Sequence, residues 1–166
     1  MAEITIKGQP GRTVGELPAV GASVPDFRLA DRDFNDRTLA DFQGPLLLNI
    51  VLSLDTSVCA ASAQRFNEMA KRFPGVTMAT VSADLPFAQK RVCGDSGLDN
   101  MTTLSTMRGE GFGRDYGVRI ADGPLEGLCS RAVVVIGGDR RVLYTQLVSE
   151  TSQEPDYDAV EQALAS

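Results

Sequence analysis

Two uninterrupted apolar runs constrain this chain more than any other feature: LLLNIVL at 46–52 and AVVVI at 132–136. Runs of Leu, Ile and Val that do not alternate with polar residues read as strands buried on both faces, the kind found in the middle of a sheet covered by helices. Both are far shorter than the roughly 20 residues that a bilayer-crossing helix needs. The opening MAEITIKGQP lacks the apolar core of a secretory signal, so the expected setting is cytoplasmic, with no membrane partner.

Around these strands the pattern alternates between sheet and helix. ITIKG (4–8) and RTVGELP (12–18) are short alternating runs about a turn-rich GQPG, read as an N-terminal hairpin spanning about 3–18. FRLADRDFNDRTLADFQG (27–44) reads as a second short hairpin ahead of the strand at 45–52. From Val58 to Phe73, Phe66, Met69, Ala70 and Phe73 share one helical face and Arg65, Glu68, Lys71 and Arg72 another; Pro74-Gly75 stops the helix. VTMATVS (76–82) predicts the next strand, LPFAQKRVCG (85–94) a short helix with Pro86 in its first turn, and GFGRDYG (111–117) a further helical turn. RAVVVIGGDRRVLYTQLV (131–148) predicts a hairpin about Gly-Gly-Asp, and EPDYDAVEQALA (154–165) a closing helix. This order predicts an α/β fold: one central mixed sheet flanked by helices, in a single domain over 1–166.

The balance of 22 Asp+Glu against 16 Lys+Arg gives a formal charge of -6, and no basic cluster exceeds the pair Arg140-Arg141. Nucleic acid is therefore not an expected partner. Cys59, Cys93 and Cys129 form neither a C-x-x-C pair nor a metal-binding spacing, so no disulfide framework and no metal are expected. The chain has no histidine. That removes the usual general base and the usual imidazole ligand, and leaves electrostatics to activate a thiol.

Cys59 stands where such activation is available. In SLDTSVCAASAQRF the strand ends before Asp55, Thr56 and Ser57, any of which can cap the following helix, so Cys59 falls in its first turn. The positive end of a helix dipole stabilises a thiolate, and a nearby arginine does so more strongly. Free cysteine is also among the most buried residue types, so position alone leaves two readings, a reactive thiol or a small core residue. Cys93, directly before Gly94 at the end of a short helix, supplies a second thiol. Two thiols on helix ends that fray suit disulfide exchange.

SLDTSVCAASAQRFNEMA, SADLPFAQKRVCG, YGVRIADGPLEGLCSRAVVVI and LVSETSQEPDYDA together closely resemble the bacterial thiol peroxidases of the Tpx type, an atypical two-cysteine branch of the peroxiredoxins. The resemblance runs over essentially the whole chain, N-terminal hairpin included. It implies a thioredoxin-like fold with added N-terminal strands and a homodimer. It also implies hydrogen peroxide and organic hydroperoxides as substrates and thioredoxin as reductant, with no cofactor. Residue by residue, it implies that Cys59 is the peroxidatic cysteine and Thr56 the threonine of the Pro-x-x-x-Thr-x-x-Cys motif. Cys93 matches the resolving cysteine and Arg131 the active-site arginine. In the implied reaction Cys59 becomes a sulfenic acid, Cys93 of the same chain condenses with it to a disulfide, and the reductant restores both thiols. A disulfide needs Cα atoms within roughly 7 Å, so two helix-borne sulfurs imply local unwinding on oxidation.

Leu52 departs from the pattern, because the motif has proline there. Leucine supplies apolar cover but restores an N–H donor and frees φ, so peroxidase activity is expected to be retained and weakened. The alternative is a redox sensor whose Cys59–Cys93 disulfide signals to a partner, and a third reading is a structural module with an unreactive Cys59. Cys129 reads as a small buried residue near the active-site strand. Phe27, Phe42, Phe66, Phe87 and Phe112 read as core or dimer-interface aromatics, with Phe87 also placed to meet an apolar peroxide substituent. GPLEG and GGDR are turns without the glycine spacing of a phosphate loop, and the acidic residues at 154–158 read as a cap on the last helix.

Overall fold

The computed structural model describes residues 1–165. Strands β1 (Glu3–Ile6) and β2 (Gln9–Arg12) form an N-terminal ribbon, and β3 (Leu29–Ala30) with β4 (Asp36–Arg37) a second short hairpin. Then come β5 (Leu46–Ile50), α1 (Ser57–Arg72), β6 (Thr77–Ser82), α2 (Pro86–Ser96), β7 (Thr102–Ser105), α3 (Gly111–Asp115), β8 (Ala132–Ile136), β9 (Val142–Leu147) and α4 (Tyr157–Ala165). The main sheet is seven-stranded in the order β4-β3-β7-β6-β5-β8-β9. It is mixed, since β5 pairs parallel with β6 and antiparallel with β8.

The two apolar runs form β5 and β8, adjacent at the centre and buried along their whole length, the first run continuing two buried residues, Val51 and Leu52, past the end of β5 at Ile50. Their alternate residues feed two cores. Leu46, Leu48, Ile50, Ala132, Val134 and Ile136 face Phe27, Phe42, Phe112 and Tyr116. Leu47, Val133 and Val135 face Phe66 and Met69 of α1, Val92 of α2 and Val160 of α4. Asn49 is the polar interruption of β5, and its amide donates to Ser62 Oγ and Thr80 Oγ1, each at 3.3 Å, tying α1 to the sheet. No helix among the described residues is long and apolar enough to cross a membrane.

Local differences from expectation have local causes. The ribbon turns at Lys7-Gly8, with φ of 50° and 82°, and not at GQPG, because a two-residue turn with both residues left-handed matches the strand twist. Strand β2 therefore begins at Gln9 and stops at Arg12, so 13–18 is not its continuation. Pro10 is tolerated because it pairs with Thr5, whose own N–H and carbonyl point away from β2 to Ser149 and Thr151. Helix α2 runs on past Gly94 to Ser96, since the left-handed cap is Gly97 (φ 66°), where the amides of Gly97 and Leu98 both return to the Cys93 carbonyl. Cys93 is thus inside α2, buried at 3% exposure, and not at a frayed end. Strand β7, TTLS, has three hydroxyl residues in four and no hydrophobic alternation to announce it; the parallel ladder with β6 creates it.

Candidate active site

The turn between β5 and α1 is built by hydroxyls and one carboxylate. Thr56 is the N-cap of α1, extended at φ −87° and ψ 146°, and its Oγ1 accepts the Cys59 N–H at 3.2 Å. The same hydroxyl donates to the Ser53 carbonyl at 3.1 Å. Asp84, in the loop after β6, accepts from Ser53 Oγ at 2.6 Å, Leu54 N–H at 2.8 Å and Ser82 Oγ at 2.7 Å. The Ser105 hydroxyl in turn donates to the Asp84 carbonyl at 2.6 Å. These bonds set the backbone ahead of Cys59 against the carboxyl ends of β6 and β7, where open α/β sheets bind ligands.

Cys59 is fully buried, in a cluster with Ile4, Val51, Leu52 and Ile120. Ser62 Oγ donates to its carbonyl at 2.9 Å. Leu52, where the sequence resemblance leads one to expect proline, is apolar cover: it shares this cluster with the thiol and also lines the adjoining cavity. That cavity has a volume of 460 Å³ and is bounded by Ile6, Lys7, Leu52, Ser53, Thr56, Val58, Leu125, Leu128, Arg131 and Thr151.

Arg131, just before β8, is 1% exposed. Its Nε and Nη2 donate to the Thr151 carbonyl at 3.2 and 2.8 Å. Nη1 is left with no hydrogen-bond partner among the described residues. Arg131 is thus a cavity-lining residue whose buried guanidinium has one unfilled donor, a group suited to a negatively charged or oxygen-bearing partner.

The other predicted residues lie elsewhere. Cys93 packs in a separate cluster with Leu47, Leu54, Ala63 and Phe66, and both it and Cys59 are free thiols. Burial raises the Cys93 thiol above its ordinary value, with Arg32 pulling the other way. Burial pushes Cys129 up to about 12, so it stays a protonated core residue. Phe87 does not line the cavity: it is 72% exposed on α2, its ring 4.8 Å from that of Phe34. Phe27, Phe42, Phe66 and Phe112 are core residues. Asp84, Ser53 and Thr151 escaped prediction. Only SADLP, with its Asp before a helix-starting Pro, carried a local signal, and it pointed to a turn.

A redoxin family model matches residues 19–160. The thiol peroxidase of Mycobacterium tuberculosis is 51% identical over 167 residues, an alignment spanning 100% of both chains. A peroxiredoxin-like protein from Aquifex aeolicus superimposes with a TM-score of 0.91 at 35% identity, covering 99% of this chain and 96% of that one. A thiol peroxidase from Chromobacterium violaceum gives 0.92 at 27% identity, covering 98% and 95%. The α/β architecture is the thioredoxin-like fold of these proteins, carrying the expected N-terminal ribbon. A buried cysteine capped by Thr56, beside a cavity walled by Arg131, is thus set in a matching framework from end to end, and the chain belongs to the redoxin family, among its thiol peroxidases.

Proposed function

We propose that this chain reduces hydrogen peroxide and organic hydroperoxides with Cys59 as the attacking thiolate. The observation that carries the proposal is the unpartnered Nη1 of buried Arg131 on the cavity that Thr56 also lines. Thr56 Oγ has one hydrogen, given to Ser53, and one lone pair engaged by the Cys59 N–H. Its second lone pair is open to accept from a peroxide O–H. Arg131 stabilises the charge that passes from sulfur to the leaving oxygen.

In the first step the Cys59 thiolate attacks the terminal peroxide oxygen, an S–O bond forms, the O–O bond breaks, and the leaving alkoxide or hydroxide takes a proton. Cys59 is then a sulfenic acid. Cys93 attacks that sulfur, water departs, and an intramolecular Cys59–Cys93 disulfide forms. Two electrons from a dithiol reductant of the thioredoxin type restore both thiols. The family resemblance supports this reductant, a homodimer as working unit and a cytoplasmic setting, with 1–166 as one domain. Apolar walls from Ile6, Leu52, Val58, Leu125 and Leu128 support organic as well as inorganic hydroperoxides.

A coupled assay with thioredoxin and its reductase, using hydrogen peroxide and cumene hydroperoxide, tests the proposal on the parent, Cys59→Ser and Cys93→Ser proteins. Sustained turnover by the parent, none by Cys59→Ser and at most a single turnover by Cys93→Ser are expected. A single stoichiometric burst by the parent would instead indicate a sensor.

A further inference from the structure

We infer that the N-terminal ribbon, acting through Glu150, is a strut that orients Arg131, which makes Glu150 a positioning residue for peroxide reduction. This rests on the reading that Arg131 serves Cys59. Strands β1 and β2 lie outside residues 19–160 that match the redoxin model, so they are an addition to the family core. A two-stranded ribbon is marginal by itself and needs something to hold it. Here the holder is the segment that carries the anchor of Arg131.

The Glu150 carboxylate accepts the Thr5 hydroxyl, the Lys7 and Gly8 amides at 2.9 and 3.1 Å, and the amide and hydroxyl of Ser152 at 3.1 and 2.9 Å. Lys7 and Gly8 are the two left-handed residues of the ribbon turn, and successive turn amides of this kind form an anion-binding concavity. Donors converging on the charged form hold the carboxyl down at about 2, the Thr5 hydroxyl contributing most.

The next residue is Thr151. Its N–H donates to the Thr5 carbonyl at 2.9 Å, and the Thr5 N–H donates to the Ser149 carbonyl at 2.7 Å. Its own carbonyl receives both Nε and Nη2 of Arg131. The Thr151 carbonyl shares its peptide unit with the Ser152 N–H that Glu150 accepts, and the Thr151 N–H on the ribbon belongs to the unit before it, so the single residue Thr151 joins the ribbon to the guanidinium, and the direction of the free Nη1 follows from where that residue is held. The same turn supplies Ile6 and Lys7 to the cavity wall. Displacements near 1 Å in a positioning group cost on the order of a hundredfold in rate, so a loosened strut reads out in kinetics before it reads out in folding.

The test is the single-turnover rate of hydrogen peroxide loss with reduced protein in excess. It uses the parent, Glu150→Gln, Thr5→Val, Arg131→Lys, and each of the first two combined with Arg131→Lys. Glu150→Gln is expected to lower the rate about tenfold and Thr5→Val about threefold, whereas in the Arg131→Lys background each lowers it less than about twofold. A merely structural role gives the same factor in both backgrounds. Parent-like rates in Glu150→Gln and Thr5→Val would overturn the inference, and so would a further tenfold loss from Glu150→Gln in the Arg131→Lys background. Thr5→Val carries the test by itself if Glu150→Gln does not fold. Peroxide loss that survives in Cys59→Ser, or a parent-like rate in Arg131→Lys, would instead overturn the underlying reading of the site, so the two failures are told apart.

Discussion

Asp84 and Ser53 are joined by a 2.6 Å hydrogen bond that fixes the turn ahead of Cys59 to the carboxyl end of β6. The same carboxylate takes the Leu54 N–H, so two consecutive residues of the turn hang from one side chain. The turn thereby has a fixed course with Leu52 where the sequence resemblance leads one to expect proline.

Replacing Asp84 with Ala removes the acceptor for Ser53, Leu54 and Ser82 together. Hydrogen bonds to a charged group contribute about 1.5–3 kcal/mol, and leaving the partly buried donors unpaired costs a similar amount, so a loss of about 3 kcal/mol is expected in urea unfolding at pH 7. The peroxide rate should fall at least tenfold, because Thr56 hangs from the Ser53 carbonyl.

Leu52 is 6% exposed and shares a cluster with Cys59. Leu52→Ala should cost about 2–4 kcal/mol, as truncations of buried leucine do, and should speed alkylation of Cys59 by opening its cover. Leu52→Pro, which fixes φ and removes the N–H, should raise peroxide consumption severalfold. Equal rates for parent and Leu52→Pro would show that leucine holds the turn as well as proline.

Much of this was legible in the sequence where the cause is local. The runs at 46–52 and 132–136 marked the two central strands, the first overrunning its strand by Val51 and Leu52, because burial on both faces leaves no room for polar alternation. The place between an apolar run and a helical period marked Asp55, Thr56 and Ser57 alike as caps of α1, and only the structure selects Thr56. Choosing between Gly94 and Gly97 as the end of α2 was not a local matter: only the left-handed residue stops the helix, and either glycine permits it. The clamp from Asp84 to Ser53 and the latch from Glu150 to Thr5 join residues 31 and 145 positions apart. Each of these residues has an ordinary surface or turn role by sequence, and only the fold brings the pairs together.

Cys129 gives a pH signature separate from the chemistry. Its folded thiol sits at about 12, above the ordinary value near 9, so folding favours the protonated form. That contribution is complete below about pH 9 and is lost as the pH climbs from there towards 12. Stability measured by denaturant should fall over this window in the parent and fall less steeply in Cys129→Ala. At pH 7 the same variant should cost about 1 kcal/mol and leave peroxide turnover unchanged; blocked disulfide formation in it would contradict a purely packing role.

The proposed Cys59–Cys93 disulfide requires the helices to move. Cys59 and Cys93 lie in different apolar clusters, and α2 is tied to α1 by Gln64 donating to the Ser96 carbonyl at 2.7 Å and to the turn ahead of α1 by the Arg91–Asp55 ion pair at 3.2 Å. Both sulfurs sit within complete helices, so the disulfide demands unwinding of the first turns of α1 and the last turns of α2. Amide exchange should accelerate across 57–64 and 88–95 in the peroxide-oxidised protein. Gln64→Ala should speed disulfide formation by about twofold, since it removes one exposed tie. Identical protection in both redox states would exclude the rearrangement.

The most direct measurement of the central claim is trapping of the oxidised intermediate in Cys93→Ser. One equivalent of hydrogen peroxide is added to the reduced variant with dimedone present, and the labelled residue is located by peptide mass spectrometry. A single dimedone adduct on Cys59, none on Cys129, and its loss in Arg131→Ala at the same exposure time are predicted. A label on Cys129, or no sulfenic acid at Cys59 while peroxide disappears, would contradict Cys59 as the nucleophile that Arg131 serves.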